Sequence, residues 1–252
     1  MRIVLLGDSI TQGLGSKKIN FLAELEKILP SEDCVYNMAM TGTVISYVEE
    51  IFSDIVNKHP DCAVILYGNV DAMLKPNRDG KIFRRLPRRF KRNNGAMLMP
   101  RPFYSHKLYK RIGQRGENLF RTVFRNLILA VDGTEQWMPL EQFKSCYESI
   151  CVKLAAQNVT PVVCSTVYID NRLFKGSDEQ FRKYNTWLNE FANSCDYAYI
   201  DFYSVFKKLV GQNGWDAYYN ADHFHPNGNG YLVMARKIAD TIRNRGIGGN
   251  GT

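Results

Sequence analysis

Apolar and polar residues follow one another along the chain in blocks that predict strands and helices in turn. Five short apolar runs are typical of buried strands. They cover residues 2–6, 34–37, 62–67, 161–167 and 197–201. Between the runs, apolar residues recur at helical spacing. The predicted helices cover 19–29, 44–58, 139–157, 178–194 and 228–244. This alternation predicts an α/β fold, a three-layer α/β/α sandwich around a five-stranded parallel sheet.

The alternation is interrupted after the third predicted strand. Residues 75–103 are rich in Arg, Pro, Asn and Gly and are predicted to form loops, whereas 104–130 carry an imperfect apolar stripe that predicts a helix. We therefore expect one domain over 1–245 with an insertion at about 75–130. The glycine-rich tail, 246–252, is expected to be disordered.

Charge singles out the same insertion. The chain has a formal net charge of +8, yet residues 75–125 contain 16 Lys and Arg against two acids, a local charge of +14. Three interpretations stay open: a solvated surface, an electrostatic funnel for an anionic ester substrate, or attachment to an anionic membrane leaflet. Nucleic acid ranks last as a partner, because no nucleic-acid motif accompanies the basic residues.

Several classes of protein are disfavoured by what the sequence lacks. No apolar run approaches 18 residues, and the chain begins directly with a strand rather than a basic and apolar leader. Six scattered cysteines, several of them inside apolar patterns and without metal-site spacing, predict buried free thiols in a reducing cytoplasm. Neither the phosphate-binding nor the dinucleotide-binding glycine motif is present, so we expect no cofactor and no metal. A cytoplasmic protein is predicted, and peripheral contact with the inner face of the membrane stays open.

Residues that could carry chemistry lie near both ends of the chain. Gly7-Asp8-Ser9 follows the first strand, and Asp222 and His225 precede the last helix. A serine nucleophile needs a base, and the base needs an orienting carboxylate. The structural alternatives are that Gly-Asp-Ser caps a helix and that Asp222 caps a turn beside a surface histidine. His223 is expected to point elsewhere.

These blocks resemble the GDSL/SGNH hydrolases, a superfamily of esterases, lipases and acyltransferases with a flavodoxin-like fold. The resemblance covers the chain apart from the insertion. It implies that Ser9 attacks an acyl carbonyl, that His225 is general base and then acid, and that Asp222 orients the imidazole. It also implies that the backbone N–H groups of Ser9 and Gly42 bind the oxyanion.

The third block departs from the family pattern. The family reads Gly-x-Asn-Asp, whereas this chain reads Gly68-Asn69-Val70-Asp71 and has valine where the family places an oxyanion donor. Asn69 is the candidate replacement; otherwise two backbone donors suffice. The remaining candidates are assigned to substrate binding. They are Asp8, Asp71, Arg84, Arg88 and Arg101.

The sequence thus predicts a serine esterase or O-acyltransferase that acts on a small or glycan ester, preferably a carbohydrate O-acetyl ester. The competing hypothesis is a catalytically weak binding protein of the same fold, holding an anionic glycan or membrane surface. Val70 favours that second hypothesis, and the intact Ser9, Asp222 and His225 oppose it.

Overall fold

The computed structural model describes residues 1–16, 21–91, 98–105 and 107–246. Seven strands lie within these ranges. They are β1 (Arg2–Gly7), β2 (Cys34–Asn37), β3 (Cys62–Leu66), β4 (Leu74–Pro76), β5 (Thr134–Gln136), β6 (Thr160–Cys164) and β7 (Ala198–Ile200). The predicted tail beyond residue 246 lies outside the described residues, as do positions 19 and 20 of the first predicted helix.

Five strands form the main sheet in the order β2-β1-β3-β6-β7, and every neighbouring pair is parallel. Helices lie on both sides of the sheet. This is the flavodoxin-like order, and the predicted three-layer architecture is confirmed. β3 is buried along its whole length, as expected for a parallel strand covered on both faces.

Ten α-helices are described. They are α1 (Phe21–Ile28), α2 (Tyr47–Glu50), α3 (Phe52–Val56), α4 (Lys81–Arg85), α5 (Arg88–Lys91), α6 (Leu108–Asp132), α7 (Leu140–Ala155), α8 (Ser177–Ser194), α9 (Phe202–Asn213) and α10 (Gly228–Asn244). None of these described helices combines the length and the apolar character that crossing a membrane requires.

The helices of the structure differ from the predicted ones at two places. The single helix expected over 44–58 is two short helices, because the backbone at Ile51 leaves the helical region with φ −104° and ψ 9°. α9 was not predicted at all. It begins directly after β7, where the Asp201 side chain accepts a hydrogen bond from the Ser204 N–H at 2.9 Å and caps the new helix.

The insertion is more ordered than its composition suggests. β4 and β5 pair antiparallel and close its base, so the loop prediction for 75–103 is wrong at β4, α4 and α5. The predicted helix is confirmed as α6. A separate apolar cluster packs inside the insertion and gives it a small core of its own. Its buried members are Phe83, Leu86, Leu98 and Ile128.

All six cysteines are free thiols, but only half are buried. Cys62, Cys151 and Cys164 lie in the core, where burial raises the pKa of each thiol. Cys34 and Cys195 are exposed, so the apolar patterns around them did not indicate burial.

Candidate active site

The turn that carries Ser9 begins where β1 ends. A side chain at Gly7 would be blocked, because a Cβ there would lie 2.0 Å from Thr11 Oγ1 and 2.8 Å from the Leu66 carbonyl oxygen. The next residue, Asp8, accepts a hydrogen bond from the Ile10 N–H through Oδ1 at 2.9 Å. The close packing at Gly7 and this Asx-type hydrogen bond stabilise a tight turn at Ser9.

Two further side chains hold the same turn from outside it. Asn37, at the end of β2, donates from Nδ2 to the Thr11 carbonyl at 2.8 Å. Tyr231, on α10, donates its hydroxyl to the Leu14 carbonyl at 2.7 Å. Sequence reasoning did not indicate either contact, since these residues meet the turn only in the folded chain.

The segment before α10 forms a second tight turn around a carboxylate. Asp222 Oδ1 accepts hydrogen bonds from the N–H groups of Phe224 and His225, both at 3.1 Å. Asn220 Nδ2 donates to the carbonyls of His225 and Pro226 at 3.1 and 2.8 Å. The backbone is therefore fixed on both sides of His225.

The fold brings the two turns into contact. Ser9 Oγ lies 2.9 Å from His225 Nε2, although the two residues are 216 positions apart. On the other side of the ring, His225 Nδ1 lies 2.6 Å from Asp222 Oδ2. All three side chains are largely buried. This order of hydroxyl, imidazole and carboxylate is the geometry of a serine nucleophile with its base.

The three residues line a cleft of about 260 Å³. Gly42 and Thr41 also line it, and Gly42 has φ +77°, a conformation that favours glycine. The rest of the wall is mostly apolar. It includes Leu14, Val70, Met73, Trp137, Phe174 and Phe224.

The insertion supplies part of this wall through apolar residues. Met99, Pro100 and Pro102 line the cleft, and the Pro102 carbonyl accepts from the Ala221 N–H at 3.3 Å. Arg101, between the prolines, is paired with Glu117 at 3.0 Å. Arg84 and Arg88 are exposed on α4 and α5 and are not among the lining residues.

In the third block, the side chains of Asn69 and Asp71 bond to backbone rather than line the cleft. Asn69 is buried, and its Oδ1 accepts from the Val167 N–H at 2.9 Å. Asp71 accepts from the N–H groups of Ile45 and Gly68 at 2.8 and 2.9 Å. Val70, in contrast, faces the cleft.

Two buried carboxyl groups near the Ser9 turn have shifted pKa values. Burial raises the pKa of Asp8 to about 6, and the Ile10 N–H, the His225 imidazole and the Asn69 amide oppose that rise. Burial likewise raises the pKa of Asp71 to about 7, against the N–H groups of Ile45 and Gly68. The protonated forms are favoured because a buried charge is poorly solvated.

A second histidine–carboxylate pair lies beside the first. His223 Nδ1 is 2.9 Å from Asp170 Oδ2, and the His223 ring stacks on Trp215 with centroids 4.9 Å apart. Burial would raise the pKa of Asp170, but hydrogen bonds from His223 and Arg172 outweigh it and lower the pKa to about 2. His223 was expected to point elsewhere, and no local sequence pattern indicated that it pairs with Asp170.

Comparison with known proteins agrees with the fold and the motifs. A model of the GDSL-like lipase/acylhydrolase family matches residues 5–233. No curated protein matches the chain by sequence.

Solved structures resemble the chain over nearly its full length. An acetylxylan esterase from Geobacillus stearothermophilus is 12% identical with a TM-score of 0.61, covering 96% of this chain and 93% of its own. A lipase/acylhydrolase from Enterococcus faecalis is 16% identical with a TM-score of 0.61, covering 97% of each chain. At 12% and 16% identity, these structures show that the chain shares their fold. The family assignment rests instead on the match to the family's sequence model. The chain belongs to the GDSL-like lipase/acylhydrolase family.

Proposed function

We propose that the protein cleaves esters through an acyl-enzyme formed on Ser9, with His225 as base and Asp222 as its orienting partner. The observation that carries the proposal is the unbroken contact from Ser9 Oγ through the imidazole to Asp222 Oδ2, at 2.9 and 2.6 Å. A serine hydroxyl is a weak nucleophile until a base within hydrogen-bond reach takes its proton.

In the first half of the reaction, Ser9 Oγ attacks the carbonyl carbon of the ester and its proton passes to His225 Nε2. The imidazolium then gives that proton to the leaving oxygen, and the ester C–O bond breaks. Asp222 accepts the hydrogen bond from Nδ1–H, which keeps Nε2 available as the base and stabilises the imidazolium.

In the second half, water or an acceptor hydroxyl gives a proton to His225 Nε2 while its oxygen attacks the acyl carbonyl carbon. The imidazolium then returns that proton to Ser9 Oγ as the bond between Oγ and the acyl carbon breaks. Water yields a carboxylic acid, and an acceptor hydroxyl yields a new ester. We assign the oxyanion to the backbone N–H groups of Ser9 and Gly42, because both residues line the cleft. Asn69 is left out of this assignment, because its side chain is buried and does not line the cleft.

We propose a carbohydrate O-acetyl ester as the substrate class. Two of the similar solved structures are acetylxylan esterases, which supports this choice. The apolar wall suits a small acyl group, and the indole of Trp137 offers a flat surface at the same cleft. Arg84, Arg88 and Arg101 are not needed for this chemistry.

The test compares hydrolysis of p-nitrophenyl acetate and acetylated xylo-oligosaccharides by wild type, Ser9→Ala and His225→Ala. Exposed Ser53 and His59 supply matched controls as Ser53→Ala and His59→Ala. We expect both site variants to lose activity and both controls to keep it. Activity that survives Ser9→Ala would refute the proposal.

A binding protein of the same fold is the second candidate, because apolar Val70 lines the cleft where the family places a donor. A serine-directed fluorophosphonate separates the two. Labelling of wild type but not of Ser9→Ala supports the enzyme. Absence of both labelling and turnover in wild type supports the binding protein.

A further inference from the structure

One face of α6 carries large apolar side chains in solvent. Eight of them are each between 53% and 68% exposed. They are Leu108, Tyr109, Ile112, Leu119, Phe120, Val123, Leu127 and Val131. Scattered exposed hydrophobic residues are ordinary, but a continuous apolar patch marks a surface that another molecule covers.

The eight residues form a single stripe. At 100° per residue they fall on the side of α6 opposite the buried positions Asn118, Thr122 and Arg125. The helix has 25 residues and is therefore roughly 37 Å long. Such a stripe gives no stability to the isolated protein, since it remains exposed to water.

Positive charge lies on the flanks and back of α6, outside this stripe. Lys107, Lys110, Arg111 and Arg115 are exposed on or just before α6, and α4, which carries exposed Arg84 and Arg85, packs against the same helix. The acids of α6 are engaged with neighbours. Glu117 pairs with Arg101 and Arg121, and Asp132 accepts from the N–H groups of Ile82 and Phe83.

We propose that α6 lies in the surface of an anionic lipid bilayer, with its apolar stripe buried at the boundary of headgroups and acyl chains. An apolar stripe on a helix whose remaining surface carries basic residues is the pattern of interfacial helices. Each basic side chain near an anionic leaflet adds to the attraction. A second copy of this chain fits less well, because pairing two such faces brings like charges together.

The helix is joined to the wall of the cleft. Asn118, on its buried side, accepts from the Arg101 N–H at 2.7 Å, between the cleft-lining residues Pro100 and Pro102. Docking of α6 would therefore bring the cleft close to the lipid surface. The proposal concerns where the protein binds and does not depend on the chemistry at Ser9.

The test is co-sedimentation of the full chain with vesicles of phosphatidylcholine alone and of an equal mixture of phosphatidylcholine and phosphatidylglycerol. We expect binding to the mixed vesicles only, weakened by salt. The triple variant Leu119→Ser, Phe120→Ser and Val123→Ser should bind at least about tenfold more weakly, since it removes apolar area from the stripe. Val152→Ser, at an exposed apolar position on α7, is the matched control and should bind like wild type.

Far-UV circular dichroism and turnover of a soluble ester serve as controls for folding. Both should be unchanged in the triple variant, because its side chains are exposed and lie outside the cleft. Equal binding by wild type and triple variant would overturn the proposal. A second result would also overturn it: wild type does not bind vesicles, and sedimentation velocity shows a wild-type dimer that the triple variant does not form. That second result would assign the stripe to another copy of the chain.

Discussion

Asn69 Oδ1 accepts a hydrogen bond from the Val167 N–H at 2.9 Å, and this contact links the segment after β3 to the segment after β6. The Asn69 side chain is buried between these two segments. Its neighbour Val70 lines the cleft instead, and the valine side chain cannot donate a hydrogen bond. The cleft therefore has an apolar side chain where a donor would help to stabilise an oxyanion.

We predict that Val70→Asn raises kcat for p-nitrophenyl acetate by about tenfold or more. An amide at this position adds a donor to the developing oxyanion, and losing one such donor costs on the order of 10²–10³ in rate elsewhere. The gain should appear in kcat rather than in KM, because the new bond strengthens as charge develops. Initial rates over a range of ester concentrations measure both constants.

Val70→Leu is the control for this gain, since it changes the shape of the position without adding a donor. It should not raise kcat. An equal gain in the leucine and asparagine variants would show that space at position 70, rather than hydrogen bonding, limits the reaction.

Replacing the orienting carboxylate should separate geometry from charge. Asp222→Asn keeps an acceptor for the N–H groups of Phe224 and His225, which Oδ1 now binds at 3.1 Å. It loses the charge that holds His225 Nδ1–H, so we expect kcat to fall by on the order of 10³–10⁴ at nearly unchanged KM. Fluorophosphonate labelling rates should fall in parallel. A variant with wild-type kcat would remove Asp222 from the mechanism.

The sheet could be predicted because its signals are local, and the residues that we propose for catalysis were singled out in the same way. β1 and β3 are continuous apolar runs, and Ser9, Asp222 and His225 stand in short motifs beside predicted elements. A parallel sheet collects the carboxyl ends of its strands at one edge, which is why motifs distant in sequence meet.

What could not be predicted depends on contacts across the fold. The break at Ile51 and the helix after Asp201 follow from backbone and capping geometry that apolar spacing does not encode. The composition of the insertion drew attention to its arginines, and it did not indicate that Pro100 and Pro102 line the cleft. Composition reports charge but not which side chains face inward.

The buried carboxyl groups make stability depend on pH. The folded pKa of Asp8 is about 6, above its ordinary value of 3.8, so the folded state binds this proton more tightly than the unfolded state does. The resulting stabilisation is complete below about pH 4 and is lost as the pH rises through about 6. Asp71 extends the same trend to about pH 7.

Asp8→Asn isolates the contribution of Asp8. The amide oxygen can still accept from the Ile10 N–H, but the group no longer titrates. The free energy of unfolding, from urea titrations between about pH 4 and about pH 7, should fall less steeply in this variant than in wild type. Identical slopes would mean that Asp8 does not carry a raised pKa.

His223 occupies a backbone conformation that costs energy, with φ +51°. Only glycine adopts this region freely, and other residues pay about 1 kcal/mol or more. The bond to Asp170 and the stacking on Trp215 offset that cost and hold the residue next to Asp222. We therefore regard His223 as a positioning residue for the turn that presents His225.

Two substitutions at this position separate backbone from side chain. His223→Ala loses both contacts and keeps the unfavourable φ, so its free energy of unfolding should fall below that of His223→Gly by about 1 kcal/mol. His223→Gly relieves the backbone but frees the turn from Asp170, so its kcat should still fall several-fold with KM nearly constant. Urea unfolding and initial rates on both variants give the comparison. If His223→Gly keeps the wild-type kcat, the Asp170 contact stabilises the loop without positioning His225, and Asp170→Asn should then leave kcat unchanged as well.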